Sequence, residues 1–269
     1  MVPFTTLIAC IITLFVSLIL PLVVLIVFAA KNKKQGIISA WLLGAAGFFV
    51  SQILIRLPVL TFLQNQSWFI SFSQNKLFLY SFSLAITAAL FELGGRLGAA
   101  GIMAKNLSWK RSLAAGLGHG GIEAMLLIGM TYVNNLVYII MINNGTFDTL
   151  LAQSASLGVD VAQLELLRTQ FISTAPVVFL LAGFERLLAM IAHLAMSVLI
   201  CYGVAHKKLG PCILACLGIH TVIDLTAGIS LALPQSVAYP LIYVQLTAIA
   251  VLSLFILKKL HQRWNESSL

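Results

Sequence analysis

The stretch SLAAGLGHGGIEAMLLIGMTYVNNLVYIIMI, residues 112–142, decides the fold. It carries a single formal charge, Glu123, and one histidine, His119. About 20 residues rising 1.5 Å each cross a hydrocarbon core of roughly 30 Å, so this run can span a membrane as a helix. It is too long, and too apolar on all faces, for a barrel strand of about 10 alternating residues. Six further runs read the same way: Thr5–Ala30, Gly36–Leu63, Leu77–Ala104, Ser173–Ala205, Leu209–Leu233 and Val237–Leu257. The composition agrees, since 60% of the 269 residues are hydrophobic and 9% charged, with mean hydropathy +1.02. A soluble domain carries about 25% charged residues, which excludes a soluble enzyme or binding module. The expected fold is an all-α polytopic transmembrane bundle of about seven spans, with chain enough for an eighth, forming a single transmembrane domain over residues 1–269. The first run lacks a basic lead-in and exceeds a signal-peptide core, so it reads as a retained span.

The basic residues predict orientation. Lys31, Lys33, Lys34, Lys105, Lys110, Arg111, Lys207, Lys208, Lys258, Lys259 and Arg263 all fall on one side of the spans, whereas the opposite loops hold Lys76 and Arg168. This bias predicts an outside N-terminus and a cytoplasmic C-terminus in a multi-pass protein of the cell membrane. It also accounts for the net charge of +8 without a nucleic-acid partner. The long loop 143–172 is then extracytoplasmic. Within it Asp160 can cap a short amphipathic helix whose apolar stripe is Val161, Leu164, Leu167 and Phe171. Cys10, Cys201, Cys212 and Cys216 lie in spans and read as small hydrophobes, with no disulfide framework.

The informative residues break the apolar rule. Glu92, Glu123, Glu185 and Asp224 lie inside spans, as do His119, His193, His220, Arg56, Arg96 and Arg186. Burying an unpaired ion in lipid costs a few kcal/mol, so these groups should face the bundle interior and pair. Counted from the nearest cytoplasmic charge at 1.5 Å per residue, Glu123 and His220 lie about 18 Å deep, with Glu92 and His193 at about 20 Å. Four helices therefore bring a histidine or glutamate to one level near the membrane centre. His119 and Glu123 are four residues apart, as are His220 and Asp224, so each histidine shares a helix face with an acid. Glu92 and Arg96 form a ready ion pair at the same spacing, and Arg56 is expected to pair with an acid. Adjacent Glu185 and Arg186 point about 100° apart and should seek partners on other helices. Gly118, Gly120 and Gly121 remove side chains around His119, allowing a helix or an extended substrate backbone to come close.

Two chemistries use this set. His119, His193 and His220 with a carboxylate such as Asp224 make a Zn²⁺ site with an open position, in which Glu123 serves as base or further ligand and Asp224 can alternatively orient His220. Without metal, Glu92 or Glu123 takes a proton from water while two histidines stabilise the oxyanion. Both hydrolyse an amide bond of a membrane-embedded or membrane-associated peptide. Buried acid and histidine chains also build proton relays, so a proton- or cation-coupled carrier is the second class of function. A non-catalytic scaffold is the third.

The run Phe91-Glu92-Leu93-Gly94-Gly95-Arg96, then Gly116-Leu117-Gly118-His119-Gly120-Gly121-Ile122-Glu123-Ala124, resembles the YhfC family of bacterial membrane proteins. Phe184-Glu185-Arg186, His193 and His220-x-x-x-Asp224 continue the likeness in order, over roughly residues 40 to 230. The order is also similar to the clan of CAAX-prenyl proteases and bacteriocin-processing membrane proteases. The resemblance implies an intramembrane metalloprotease with Glu92, His119, Glu123, His193, His220 and Asp224 as the active-site set. One departure stands out: the clan shows two adjacent acids before the arginine, and here Leu93 follows Glu92.

Overall fold

The computed structural model describes residues 1–158 and 160–266, among which there is no strand. The helices are α1 (Phe4–Lys31), α2 (Ile37–Leu63), α3 (Ser67–Asn75), α4 (Leu77–Ile102), α5 (Trp109–Asn144), α6 (Phe147–Ser156), α7 (Ala162–Ser173), α8 (Pro176–Ala205), α9 (Leu209–Ser230) and α10 (Gln235–Glu266). Seven of them, α1, α2, α4, α5, α8, α9 and α10, are long and apolar enough to cross a membrane. Their limits follow local chemistry. Gly36, at φ 65°, turns the chain into α2, and Gly145, at φ 82°, ends α5 in the left-handed conformation that glycine adopts without a Cβ penalty.

The structure adds features that the apolar runs do not announce. Helix α3 lies between the second and third spans, where buried Phe69 meets the Tyr80 ring edge-on at 5.6 Å. Helix α10 continues past Leu257 because Leu257, Leu260 and Trp264 recur at helical spacing on a buried face while Lys258, Lys259 and Arg263 stay exposed. Helices α1, α2 and α5 each contain a π-helical segment, at Phe15–Ile19, Phe49–Arg56 and Ala124–Gly129. Such widened turns shift the register of the faces on either side.

The chain divides into two compact units. One comprises Met1–Leu22 and Ala124–Leu187; its apolar centre gathers Val2, Cys10, Tyr132, Ile139 and Phe171. There the Phe179 carbonyl accepts from Thr13 Oγ1 at 2.7 Å and from the Tyr132 hydroxyl at 3.0 Å. In the same unit Asp160 Oδ1 accepts the Ala162 N–H at the start of α7, and Arg168 pairs with Asp148 while lying over the Phe147 ring.

The second unit comprises Val23–Glu123 and the chain from Leu188 onward. Here glycines set the spacing between helices. A Cβ at Gly44 or Gly118 would collide with the backbone of Ala115 or Trp41, and one at Gly47 would lie 2.7 Å from the Gly95 carbonyl oxygen. Helix α2 therefore approaches α5 and α4 at backbone distance, the small-residue packing that membrane helices use in place of a hydrophobic drive.

Candidate metal centre

Every member of the central polar cluster belongs to this second unit. Glu92 (α4), His119 and Glu123 (α5), His193 (α8) and His220 (α9) are all buried. The sequence around His119 explains the convergence. A side chain at Gly118 would strike α2, and a Cβ at Gly120 would sit 2.9 Å from the His193 Cβ. The flanking glycines thus admit neighbouring helices, and His119 is clamped between them, with Phe48 edge-on to its ring at 5.5 Å.

One carboxylate is the hub. Glu92 Oε2 lies 2.8 Å from His220 Nε2, 3.0 Å from His119 Nε2, 3.1 Å from Arg96 Nη2 and 3.7 Å from His193 Nδ1. Its Oε1 accepts from Gln52 Nε2 at 2.8 Å. A guanidinium only donates, so the 2.6 Å contact from Arg96 Nη2 makes His193 Nδ1 an acceptor. The His193 proton then resides on Nε2, which faces Glu123 Oε2 at 3.0 Å. His220 turns its other nitrogen, Nδ1, toward Asp224 Oδ2 at 3.3 Å. The rings of His119 and His193 stack at 5.6 Å, and that of His220 stands perpendicular to His193 at 5.5 Å.

Donor atoms of Glu92, His119, Glu123 and His193 all lie within 4.8 Å of one another. Two imidazoles and two carboxylates, buried and drawn from three helices, fit a first-row divalent cation. His220 joins the group through Glu92, and Asp224 stands behind His220, where a carboxylate orients a ligand ring. Glu123 and Asp224 retain side-chain exposure, 11% and 34%, against 1% for His119 and 5% for Glu92.

One pairing adds to the expectation and one differs from it. Glu185 and Arg186 bond to each other, with Arg186 Nε donating to Glu185 Oε2 at 2.8 Å. Their long side chains curl across the 100° that separates adjacent positions. Arg56 meets no carboxylate directly among the described residues; it donates to Gln52 Oε1 at 3.2 Å and to the Leu84 carbonyl at 2.8 Å. Gln52 is the residue the sequence reading missed. It relays Arg56 to Glu92, and its one signal was an amide within an apolar span.

Fold and cluster together define a class: a polytopic membrane protein with a buried histidine and glutamate group fit to hold a metal. The sequence profile of the YhfC intramembrane metalloprotease family matches residues 16–244, and the chain belongs to that family. A relative, the uncharacterized membrane protein YhfC of Bacillus subtilis (strain 168), is 29% identical over 195 residues, covering 72% of this chain and 73% of its own. No solved structure matches.

Proposed function

We propose that the protein is an intramembrane peptidase whose buried cluster holds a divalent cation, zinc by donor type, through His119, His193 and Glu92, with His220 completing the set. The observation that carries this reading is the four-donor group within 4.8 Å. The family's name, that of a metalloprotease working in the membrane, supports it. The chemistry such a cation would supply, if bound there, is polarisation of a carbonyl and activation of water at neutral pH. Glu123 takes the proton from the water that attacks the peptide carbon and returns it to the leaving amine as the C–N bond breaks. His193 Nε2–H orients Glu123, so a cation held by His193 would take Nδ1, the nitrogen that otherwise accepts from Arg96, and Asp224 aligns His220. Substrate reaches the cluster from the Glu123 and Asp224 edge, its most exposed side. The bias of basic residues supports an outside N-terminus and a cytoplasmic C-terminus, in a multi-pass protein of a bacterial cell membrane.

Elemental analysis of purified protein tests the reading, with wild type set against His119→Ala, His193→Ala and His220→Ala. One zinc or other divalent ion per chain in wild type, lost in the variants, is expected. Retained membrane insertion with abolished peptide processing in Glu123→Gln should accompany it. Proton or ion flux into proteoliposomes that depends on the same residues, with no hydrolysis, would instead make it a carrier.

A further inference from the structure

Beside the cluster is a second polar space that the proposed chemistry does not use. A cavity of about 10 Å³ is lined by Gly44, Arg96, Ala99, Ala115, His119, Ser197 and Cys201. On three of these lining residues, Arg96 Nε and Nη1, His119 Nδ1 and Ser197 Oγ are buried polar atoms that meet no hydrogen-bond partner among the described residues. All three side chains are more than nine-tenths buried, at 3%, 1% and 4% exposure. A buried polar atom without a partner costs roughly 1–3 kcal/mol, and a space of this size with several polar walls suits one water. Nothing larger fits.

We infer that this cavity binds a single water held by Arg96 and Ser197, and that Ser197 is a positioning residue acting through it on His119. The proton arithmetic singles out water. With His119 Nε2 donating to the Glu92 carboxylate, Nδ1 of a neutral ring is an acceptor and needs a donor. When Nε2 binds a cation, the proton moves to Nδ1, which then needs an acceptor. A carboxylate or an arginine could serve only one of these states. Water serves both by turning, donating to Nδ1 in the first and accepting from Nδ1–H in the second. The serine hydroxyl turns with it, and Arg96 donates to the water oxygen throughout. His119 can thereby exchange tautomers on loading without leaving a buried polar atom unpaired. This inference rests on the reading of His119 as a metal ligand only for the second state.

Two measurements on the full-length protein in detergent test it. Zinc titration against a competing chelator should give an affinity about 10- to 100-fold weaker for Ser197→Ala, restored by Ser197→Thr, because partners behind a ligand carry effects of that size. In metal-free protein, the Nδ1 ¹⁵N shift of His119 should move toward the unbonded range in Ser197→Ala and return in Ser197→Thr. Wild-type affinity in Ser197→Ala, or an unmoved Nδ1 shift, overturns the water. If wild type binds no divalent metal while the shift still responds to Ser197, the metal reading fails and the water stands.

Discussion

Glu92→Gln is the most demanding perturbation, because it preserves shape and removes only the charge on which the cluster converges. Oε2 receives His220, His119 and Arg96 at 2.8, 3.0 and 3.1 Å, and Oε1 receives Gln52 at 2.8 Å. A glutamine places an NH₂ against one of these donor sets, so at least one contact becomes donor against donor. The larger loss is electrostatic. At the 3.1 Å separation of Arg96 and Glu92, two unit charges attract by roughly 5 kcal/mol at an effective dielectric near 20. Removing one partner of a buried pair costs about 3–5 kcal/mol, since the survivor keeps its desolvation cost without compensation. Glu92→Gln should therefore shift unfolding in detergent by about 3–5 kcal/mol, and chelator competition should show lost metal.

Two companions separate charge from generic damage. Glu123→Gln keeps an oxygen to face His193 Nε2, which lies 3.0 Å from Glu123 Oε2, and sits at the more exposed edge of the cluster, so its cost should be smaller than that of Glu92→Gln. Glu92→Gln combined with Arg96→Met removes both charges and should recover much of the stability, though not the metal, because apolar replacement of a buried pair is often neutral. A Glu92→Gln protein within 1 kcal/mol of wild type would refute the hub argument. So would a double variant no more stable than the single.

Glycine substitutions should divide by location. Gly120→Ala places a Cβ 2.9 Å from His193 and should destabilise by about 1–3 kcal/mol in thermal unfolding, whereas Gly94→Ala, with nothing within 4 Å, should be neutral or slightly stabilising. Arg168→Ala should cost at most about 1 kcal/mol, since Asp148 is 74% exposed at the side chain, and peptidase activity should be unchanged. Arg56→Met should lower metal affinity modestly by freeing the Gln52 amide that holds Glu92, read by the same chelator titration.

The seven spans were legible because a hydrocarbon slab imposes length and apolarity on a helix, and both can be counted in a sequence. The meeting of Glu92, His119, Glu123 and His193 was legible for the same reason, because a fixed helical rise sets a common level for residues on different helices. Pairing was less legible. Rotation about a helix axis depends on π-helical turns such as Phe49–Arg56, which leave no mark in the apolar pattern and lie beside Gln52 and Arg56. The Glu185 and Arg186 pair escaped because Cβ direction, which periodicity reports, does not limit where a long side chain ends. Helix α3 and the extension of α10 escaped because both depend on tertiary burial of a few residues, Phe69 in one and Trp264 in the other.

The departure at Leu93 takes on a different weight in three dimensions. A second acid next to Glu92 would project about 100° away around α4, and in this chain that direction is occupied by core: Leu93 is 6% exposed and packs in the cluster with Trp41, Ala45 and Met196. A charge there would be buried among apolar side chains. The second carboxylate of the cluster comes instead from Glu123 on α5, within 4.8 Å of the Glu92 donor atom and held by His193. Under the proposed mechanism the chain therefore has two carboxylates without needing adjacent acids, and their roles separate. Glu92 is saturated by four donors and is suited to anchoring. Glu123 lies at the more exposed edge, where a base must meet water. Leu93→Glu should accordingly destabilise the fold without adding activity, whereas Glu123→Gln should remove activity with little loss of fold.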